Sequence, residues 1–382
     1  MARRKLDDVG PKNAVESGSV PPPPPRPRAF GGVPKGWQSA DKVLDTVTAV
    51  PTRFIGFNRA SRVGGLPVRR IHTVHGPTHQ GKSAFVGGLV ESFVTPGDIG
   101  AYIDAEHSTP NEWFAELFKR PLSEVDNFFA ERPRSYEETI TKVDALLAWM
   151  RGVRAAEEKA GRRPPNSIIA VDSINKLVPE REMEQLKKMG GDAIDKAWGR
   201  LRAAMNQSWL DHLTPLLGDA NCALVLVAQE RKEDDELGWD PSRAVQIKGG
   251  GALTFDASLV IRVSKGAPVR EDDSDNASPI VGFKHRIRIW KNKVGHLDGR
   301  YTDCFFHLSN GKLTPPGFDV ARDLVEVGKD LDVVKVSGSW LSWGKKRWQG
   351  TKRAVLAISA DAGLQTELFA AVNAAIAKER AQ

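Results

Sequence analysis

The run Gly76-Pro77-Thr78-His79-Gln80-Gly81-Lys82-Ser83 constrains this chain more than any other feature. It fits the pattern G-x-x-x-x-G-K-[ST] without a gap. Glycines at its two ends let the backbone curl, so that successive N–H groups converge on an anion. Lys82 then reaches the outer phosphates of a nucleoside triphosphate, and Ser83 offers a hydroxyl to Mg2+. Such a loop needs a strand leading in and a helix leading out, because the positive end of the helix completes the anion site. Both flanks are present: residues 71–75 read as a short extended run and residues 83–94 as a helix. His79, inside the loop, is expected to face solvent.

The rest of the chain repeats this alternation. Strand-length apolar runs fall at 99–104, 168–172 and 223–228, with helical spacing at 136–150. That order predicts an α/β fold with a mainly parallel sheet covered by helices on both faces. Further strands are expected at 257–263, 285–290 and 302–307. The charged stretch 151–165 reads as a solvated extension. Two polar, Gly-containing stretches, 180–200 and 230–251, read as long loops, which in a compact domain are functional or mobile.

Two strand ends carry chemistry. The run 167–172 ends in Asp172, where a carboxylate can orient the water shell of Mg2+ beside a phosphate loop. The run 99–104 leads into Asp104-Ala105-Glu106-His107. Glu106 is the candidate general base for an attacking water. Asp104 is expected to cap the following turn, and His107 to be a hydrogen-bonded supporting residue.

With 382 residues, the chain can build one large core and small appendages. Residues 1–40, with the proline run Pro21 to Pro25 and then Arg-Pro-Arg, read as a disordered polyproline II spacer. A short helix is expected near 40–48. The core is expected over 41–312. A smaller α+β domain over 313–382 should hold a helix, a Trp- and Lys-rich hairpin and an Ala-rich last helix. The net charge of +7 suits a polyanionic partner. Cys222 and Cys304 stand alone in apolar runs, as in a reducing compartment. No run approaches the roughly 18–20 apolar residues of a membrane span, and no apolar leader opens the chain, so a cytoplasmic protein is expected.

In their order, these motifs resemble the bacterial RecA family. Gly64-Gly65-Leu66-Pro67 resembles the family's approach to its nucleotide site. Asp104-Ala105-Glu106-His107 is similar to its catalytic-glutamate motif, and Val171-Asp172-Ser173 to its Mg2+ strand. Trp113 falls where the family has an aromatic that stacks on adenine. Val227-Ala228-Gln229-Glu230-Arg231 resembles the segment whose glutamine senses the γ-phosphate, a role that falls on Gln229. Gly249-Gly250-Gly251-Ala252-Leu253 resembles the exit from the DNA loop that follows. Lys291-Asn292-Lys293 resembles paired lysines that reach the ATP of the neighbouring protomer. Gly338-Ser-Trp340-Leu-Ser-Trp343-Gly-Lys-Lys-Arg-Trp348-Gln-Gly350 is similar to an aromatic and basic hairpin of the C-terminal domain.

The resemblance covers roughly residues 45–382. It implies a RecA-type ATPase core that uses ATP and Mg2+ and forms helical homo-oligomeric filaments on single-stranded DNA. Such filaments pair with homologous duplex DNA in recombination and repair, alongside single-strand-binding or loader proteins. It places two DNA loops near 180–198 and 230–250. The first carries Arg181, Lys187 and Lys188; the second carries Arg231, Lys232, Trp239, Arg243 and Lys248. Basic residues would meet phosphates and Trp239 would wedge between bases. The acidic run Glu233 to Glu236 sits badly with that role.

The chain also departs from the family. Its N-terminus is Pro-rich, with Ala29-Phe30 as a possible apolar anchor, and its last residues lack an acidic tail. The stretches 151–165 and 266–284 are longer. Such departures suit a phage- or plasmid-encoded member. Two other readings fit the phosphate loop: a ring helicase of the same fold, and an ATP-gated recombination mediator without strand exchange. The paired lysines and the C-terminal hairpin argue against the first. Intact Lys82, Ser83, Glu106 and Asp172 argue against the second.

Overall fold

Along the central strands, successive side chains point to opposite faces, and in this chain both faces are apolar. Ile168, Ala170, Ala223, Val225 and Val227 enter one core, while Ile169, Val171, Leu224, Leu226 and Ala228 enter another. Strands buried on both sides need helices on both sides. The computed structural model describes residues 46–189, 196–232, 245–271, 277–308 and 317–381. Residues 1–45 lie outside them, and with them the expected Pro-rich spacer and residues 40–45 of the expected short helix. The remaining residues of that helix, 46–48, are irregular.

The described chain opens with β1 (Ala49–Val50), α1 (Ile55–Ala60), β2 (Leu66–Pro67), β3 (Arg70–Gly76), α2 (Lys82–Val94), β4 (Ile99–Asp104), α3 (Asn111–Phe118) and β5 (Phe128–Glu131). It continues through α4 (Tyr136–Lys159), β6 (Ser167–Asp172), α5 (Glu180–Met189), α6 (Lys196–Asp219), β7 (Cys222–Lys232), β8 (Val245–Ile247) and α7 (Ala252–Phe255). Then follow β9 (Leu259–Arg270), β10 (Ile280–Asn292), β11 (Tyr301–His307), β12 (Gly317–Phe318), α8 (Val320–Asp330), the strands β13 (Lys335–Ser337), β14 (Trp340–Trp343) and β15 (Lys346–Gln349), α9 (Thr351–Ala360) and α10 (Ala362–Ala381).

Ten strands form one sheet in the order β12-β11-β10-β9-β3-β7-β6-β4-β5, with β8 added to the end of β7. From β9 to β5 the pairing is parallel, and from β9 to β12 it is antiparallel. Helices α2 and α3 supply the core on one face, and α4, α6 and α7 the core on the other. In such a sheet, ligands gather beyond the carboxyl ends of the parallel strands.

The structure corrects several expectations. Residues 180–189 and 196–219 are helical, so only 190–195 of the expected first loop lie outside the described residues. The sequence EREMEQLKKM is strongly polar, with Met183, Leu186 and Met189 as its apolar residues. What anchors α5 is an ion pair: Arg202 on α6 donates to both oxygens of Glu182 at 2.8 and 2.6 Å. The stretch 151–165 is in part the continuation of α4, which runs to Lys159. Residues 230–232 extend β7 because β8 pairs with them (Glu230 opposite Ile247, Lys232 opposite Val245). These are polar residues ordered by a distant partner, so no local periodicity announces them. The longer stretch at 266–284 is largely the distal arms of the β9–β10 hairpin.

The unit spanning Val47–Gln382 has a third core cluster. Ile55 of α1 packs there with Leu324, Ile358, Leu368 and Ile376 from α8, α9 and α10. Arg59 adds a two-point ion pair to Glu379 at 3.0 and 2.9 Å. Among the described residues, no single helix is long and apolar enough to cross a membrane.

Candidate nucleotide site and the surface beside it

The phosphate loop leaves the end of β3 and turns into α2. Two glycines make the turn: Gly76 at φ +155° and Gly81 at φ +83°, both in the region that L side chains avoid. A Cβ on Gly76 would lie 2.2 Å from the Val263 carbonyl oxygen, and one on Gly81 would lie 2.8 Å from the His285 ring. Gln80 accepts a bond from the Lys265 backbone N–H at 2.6 Å, so β9 and β10 brace the loop from the side. Thr78 and His79 face solvent. Gly81→Ala should therefore weaken nucleotide binding at least about tenfold, since left-handed alanine alone costs about 1–2 kcal/mol and the ring must also move. Titration with a fluorescent ATP analogue measures this; affinity within twofold of the parent would show that His285 yields freely.

Inside the loop, the Lys82 ammonium donates to the Pro77 carbonyl at 2.7 Å. Burial pushes its pKa down, against the pull of Asp172, Glu106 and Glu230. Facing it are the ends of β4 and β6, which are in register at Asp104 and Asp172. Tyr102 donates to the Asp172 carboxylate at 2.7 Å. Burial pushes the Asp172 pKa up, although hydrogen bonds from Ser83 and Tyr102 oppose it. Ser173 donates to the Glu106 carboxylate at 3.0 Å, and the Glu106 N–H reaches the Asp172 carbonyl at 3.3 Å. Glu106 itself is exposed. The donor set fits the expected ligands. A cationic amine, loop N–H groups and a helix start suit phosphates. The Ser83 hydroxyl beside Asp172 gives the hard oxygens that Mg2+ takes in small number, keeping waters for its other positions.

The supporting residues are also placed. Asp104 is buried and accepts from the Ser108 and Thr109 N–H groups at 3.3 and 3.0 Å, capping the turn, and from Arg132 at 3.0 Å. His107 Nε2 lies 3.0 Å from the Pro133 carbonyl. Trp113, on α3, is partly buried against the core. Its ring fills the space over Gly87 of α2, where a Cβ would sit 2.5 Å from it.

On the other side of β7, the backbone of Gln229 donates to Asn175 Oδ1 at 2.7 Å, and Asn175 Nδ2 donates to the Lys248 carbonyl at 2.8 Å. Lys248 closes the ring: its N–H donates to the Gln229 carbonyl at 2.8 Å and its ammonium to Gln229 Oε1 at 3.2 Å. In this arrangement the Lys248 ammonium is engaged by Gln229. Asn175 was legible in no motif. A cavity of about 820 Å³ opens here, lined by Arg202, Gln229, Arg231, Lys248 and the glycines 249–251. Arg181, Lys187 and Lys188 are exposed on α5, and Arg231 is exposed on β7. The backbone of Lys232 pairs with Val245. Trp239, Arg243 and the acidic run 233–236 lie outside the described residues.

Lys291 and Lys293 end β10 on one side, with buried Asn292 donating to the Ser61 carbonyl at 2.9 Å between them. Both ammonium groups rest on carbonyls at the end of α7: Lys291 on Thr254 and Phe255, and Lys293 on Phe255. Burial and the neighbouring Lys293 lower the Lys291 pKa. On the hairpin β14–β15, Lys345, Lys346 and Arg347 are exposed, and the Arg347 guanidinium lies 4.4 Å from the Trp340 ring centre.

Comparison with known proteins agrees with this geometry. Residues 35–298 match the family model described as the RecA N-terminal domain. The chain is 28% identical over 346 residues to Protein RecA of Clostridioides difficile, covering 90% of this chain and 87% of that protein. It is 26% identical over 340 residues to Protein RecA of Campylobacter hominis, covering 89% and 86%. It is 27% identical over 334 residues to Protein RecA of Porphyromonas gingivalis, covering 87% and 86%. With the model matched over more than half its length, at a phosphate loop, an acidic strand end and a glutamine strand that the fold draws together, this chain belongs to the RecA family.

Proposed function

We propose that the chain is an ATP-dependent recombinase that assembles on single-stranded DNA, hydrolyses ATP between protomers and pairs the bound strand with homologous duplex DNA. The observation that carries the reading is the ring Gln229–Asn175–Lys248. It joins the strand beside the phosphate loop to the exit of the second DNA loop, so a change at one is felt at the other.

In this reading the phosphate loop and Lys82 hold the triphosphate. Ser83 and Asp172 hold Mg2+, which would neutralise charge on the phosphates and align the transferring group. Glu106 takes the proton of the attacking water. Ser173 holds the Glu106 carboxylate in place. Gln229 gives up the Lys248 ammonium held at its Oε1, donates its amide N–H to the γ-phosphate instead, and so releases the loop exit to order on DNA. Lys291 and Lys293 act on the ATP of the adjacent protomer, as an arginine finger does. Arg181, Lys187, Lys188, Arg231, Lys232, Trp239 and Arg243 meet the strand, and the C-terminal unit, residues 313–382, gathers duplex DNA through Trp340, Lys345, Lys346 and Arg347. ATP and DNA then promote each other's binding by linkage.

The test is ATP hydrolysis with and without single-stranded DNA, on samples also viewed by negative-stain microscopy. Strong stimulation with helical filaments is the expected result. Rings, or hydrolysis indifferent to DNA, would overturn it.

A further inference from the structure

Four side chains without a role in the motifs above meet on the sheet face that carries α6 and α7. They come from four adjacent strands: Glu230 from β7, His75 from β3, Arg262 from β9 and Trp290 from β10. His75 is fully buried, and its Nδ1 lies 3.2 Å from Glu230 Oε2. Arg262 donates to both Glu230 oxygens at 3.1 and 2.7 Å. The Trp290 ring lies 4.5 Å from the His75 ring, centre to centre, and 5.6 Å from the Arg262 guanidinium. The Glu230 side chain is only 5% exposed. Burial pushes its pKa up, but hydrogen bonds from His75 and Arg262 outweigh that and bring it down to about 2. His75 Nε2 is buried without a hydrogen-bond partner among the described residues.

Position in the chain gives the cluster its meaning. His75 immediately precedes Gly76, where the phosphate loop begins. Glu230 immediately follows Gln229. Trp290 immediately precedes Lys291. One residue from each of the three catalytic elements is therefore locked into a single packed cluster, and Arg262 closes it. A buried ion pair adds little stability that an apolar pair of similar volume would not, whereas breaking one leaves a stranded charge. Stability alone thus gives no reason to place charge here.

We propose that Glu230, with His75, Arg262 and Trp290, is a positioning residue that holds the phosphate loop, Gln229 and the paired lysines in one register, so that nucleotide and DNA report to each other through this cluster. The inference rests on the DNA-dependent ATPase reading above.

The experiment compares the parent protein with Glu230→Gln and with Glu230→Gln/Arg262→Gln. It reads affinity for a fluorescent ATP analogue without DNA, the ratio of hydrolysis with and without single-stranded DNA, and Tm. Glu230→Gln should keep analogue affinity within about threefold and lose at least about tenfold of the DNA stimulation, a change within the range of coupling between sites. The double variant, with no stranded charge, should recover Tm without recovering stimulation. A parent whose hydrolysis ignores DNA overturns the underlying reading and this one with it. A stimulated parent beside a Glu230→Gln that keeps its stimulation overturns this proposal alone. So does a double variant in which Tm and stimulation return together, since the pair is then purely structural. Should Glu230→Gln fail to fold, Trp290→Leu leaves the charges paired and is read the same way.

Discussion

Glu106→Gln should lower ATP hydrolysis by about 10²–10⁴-fold while nucleotide affinity stays within about threefold of the parent. That loss corresponds to about 3–5 kcal/mol of transition-state stabilisation. The substitution keeps the shape of the side chain, and the Ser173 hydroxyl can still donate to the amide oxygen where it now donates to the carboxylate. Only the ability to accept a proton is lost. The neighbouring acid cannot take over, because Asp172 is buried and already accepts from Tyr102. Steady-state hydrolysis and analogue binding on the same preparation separate the two effects. Hydrolysis within about fivefold of the parent would move the base elsewhere.

Lys291→Ala with Lys293→Ala should lower DNA-stimulated hydrolysis about 10³-fold, or about 4 kcal/mol, while the protomer still binds nucleotide as before. Here the two ammonium groups sit on the Thr254 and Phe255 carbonyls of their own chain. In a head-to-tail filament those carbonyls would release them to the next protomer's phosphates. Mixing gives the sharper test. Glu106→Gln subunits keep their lysines, and Lys291→Ala/Lys293→Ala subunits keep their base. Combined in equal amounts, the two inactive proteins should regain activity at roughly a quarter of the interfaces, those where an intact lysine pair meets an intact base. No recovery, or equal loss of binding and turnover in the lysine variant, would remove the role across the interface.

The site was readable because its chemistry is local. Eight consecutive residues specify the phosphate loop, and Asp172 and Glu106 stand at the ends of apolar runs of strand length. What the sequence hid depends on residues far apart. The helix α5 is tied down by Arg202 on another helix, a partner its own sequence does not show. The last three residues of β7 are strand because β8 returns to them. The pairing of Glu230 with His75, 155 positions earlier, exists only once β3 and β7 lie side by side. The bond of Lys248 to Gln229, 19 positions earlier, likewise exists only once β8 has returned to β7.

The contact of Ile55 and Arg59 with the end of the chain bears on when this protein can finish folding. Arg59 and Glu379 are 320 positions apart, and Ile55 has its apolar partners in the last three helices. During synthesis these groups emerge long before their partners on α8, α9 and α10. Closing so long a loop carries an entropic cost that only the completed C-terminal cluster repays. The segment leading to the phosphate loop therefore gains its final support only once α10 has been made, and a nascent chain truncated before α10 carries an unmatched arginine and an uncovered isoleucine just upstream of its nucleotide site. Quality control by proteases and chaperones would meet that uncovered segment.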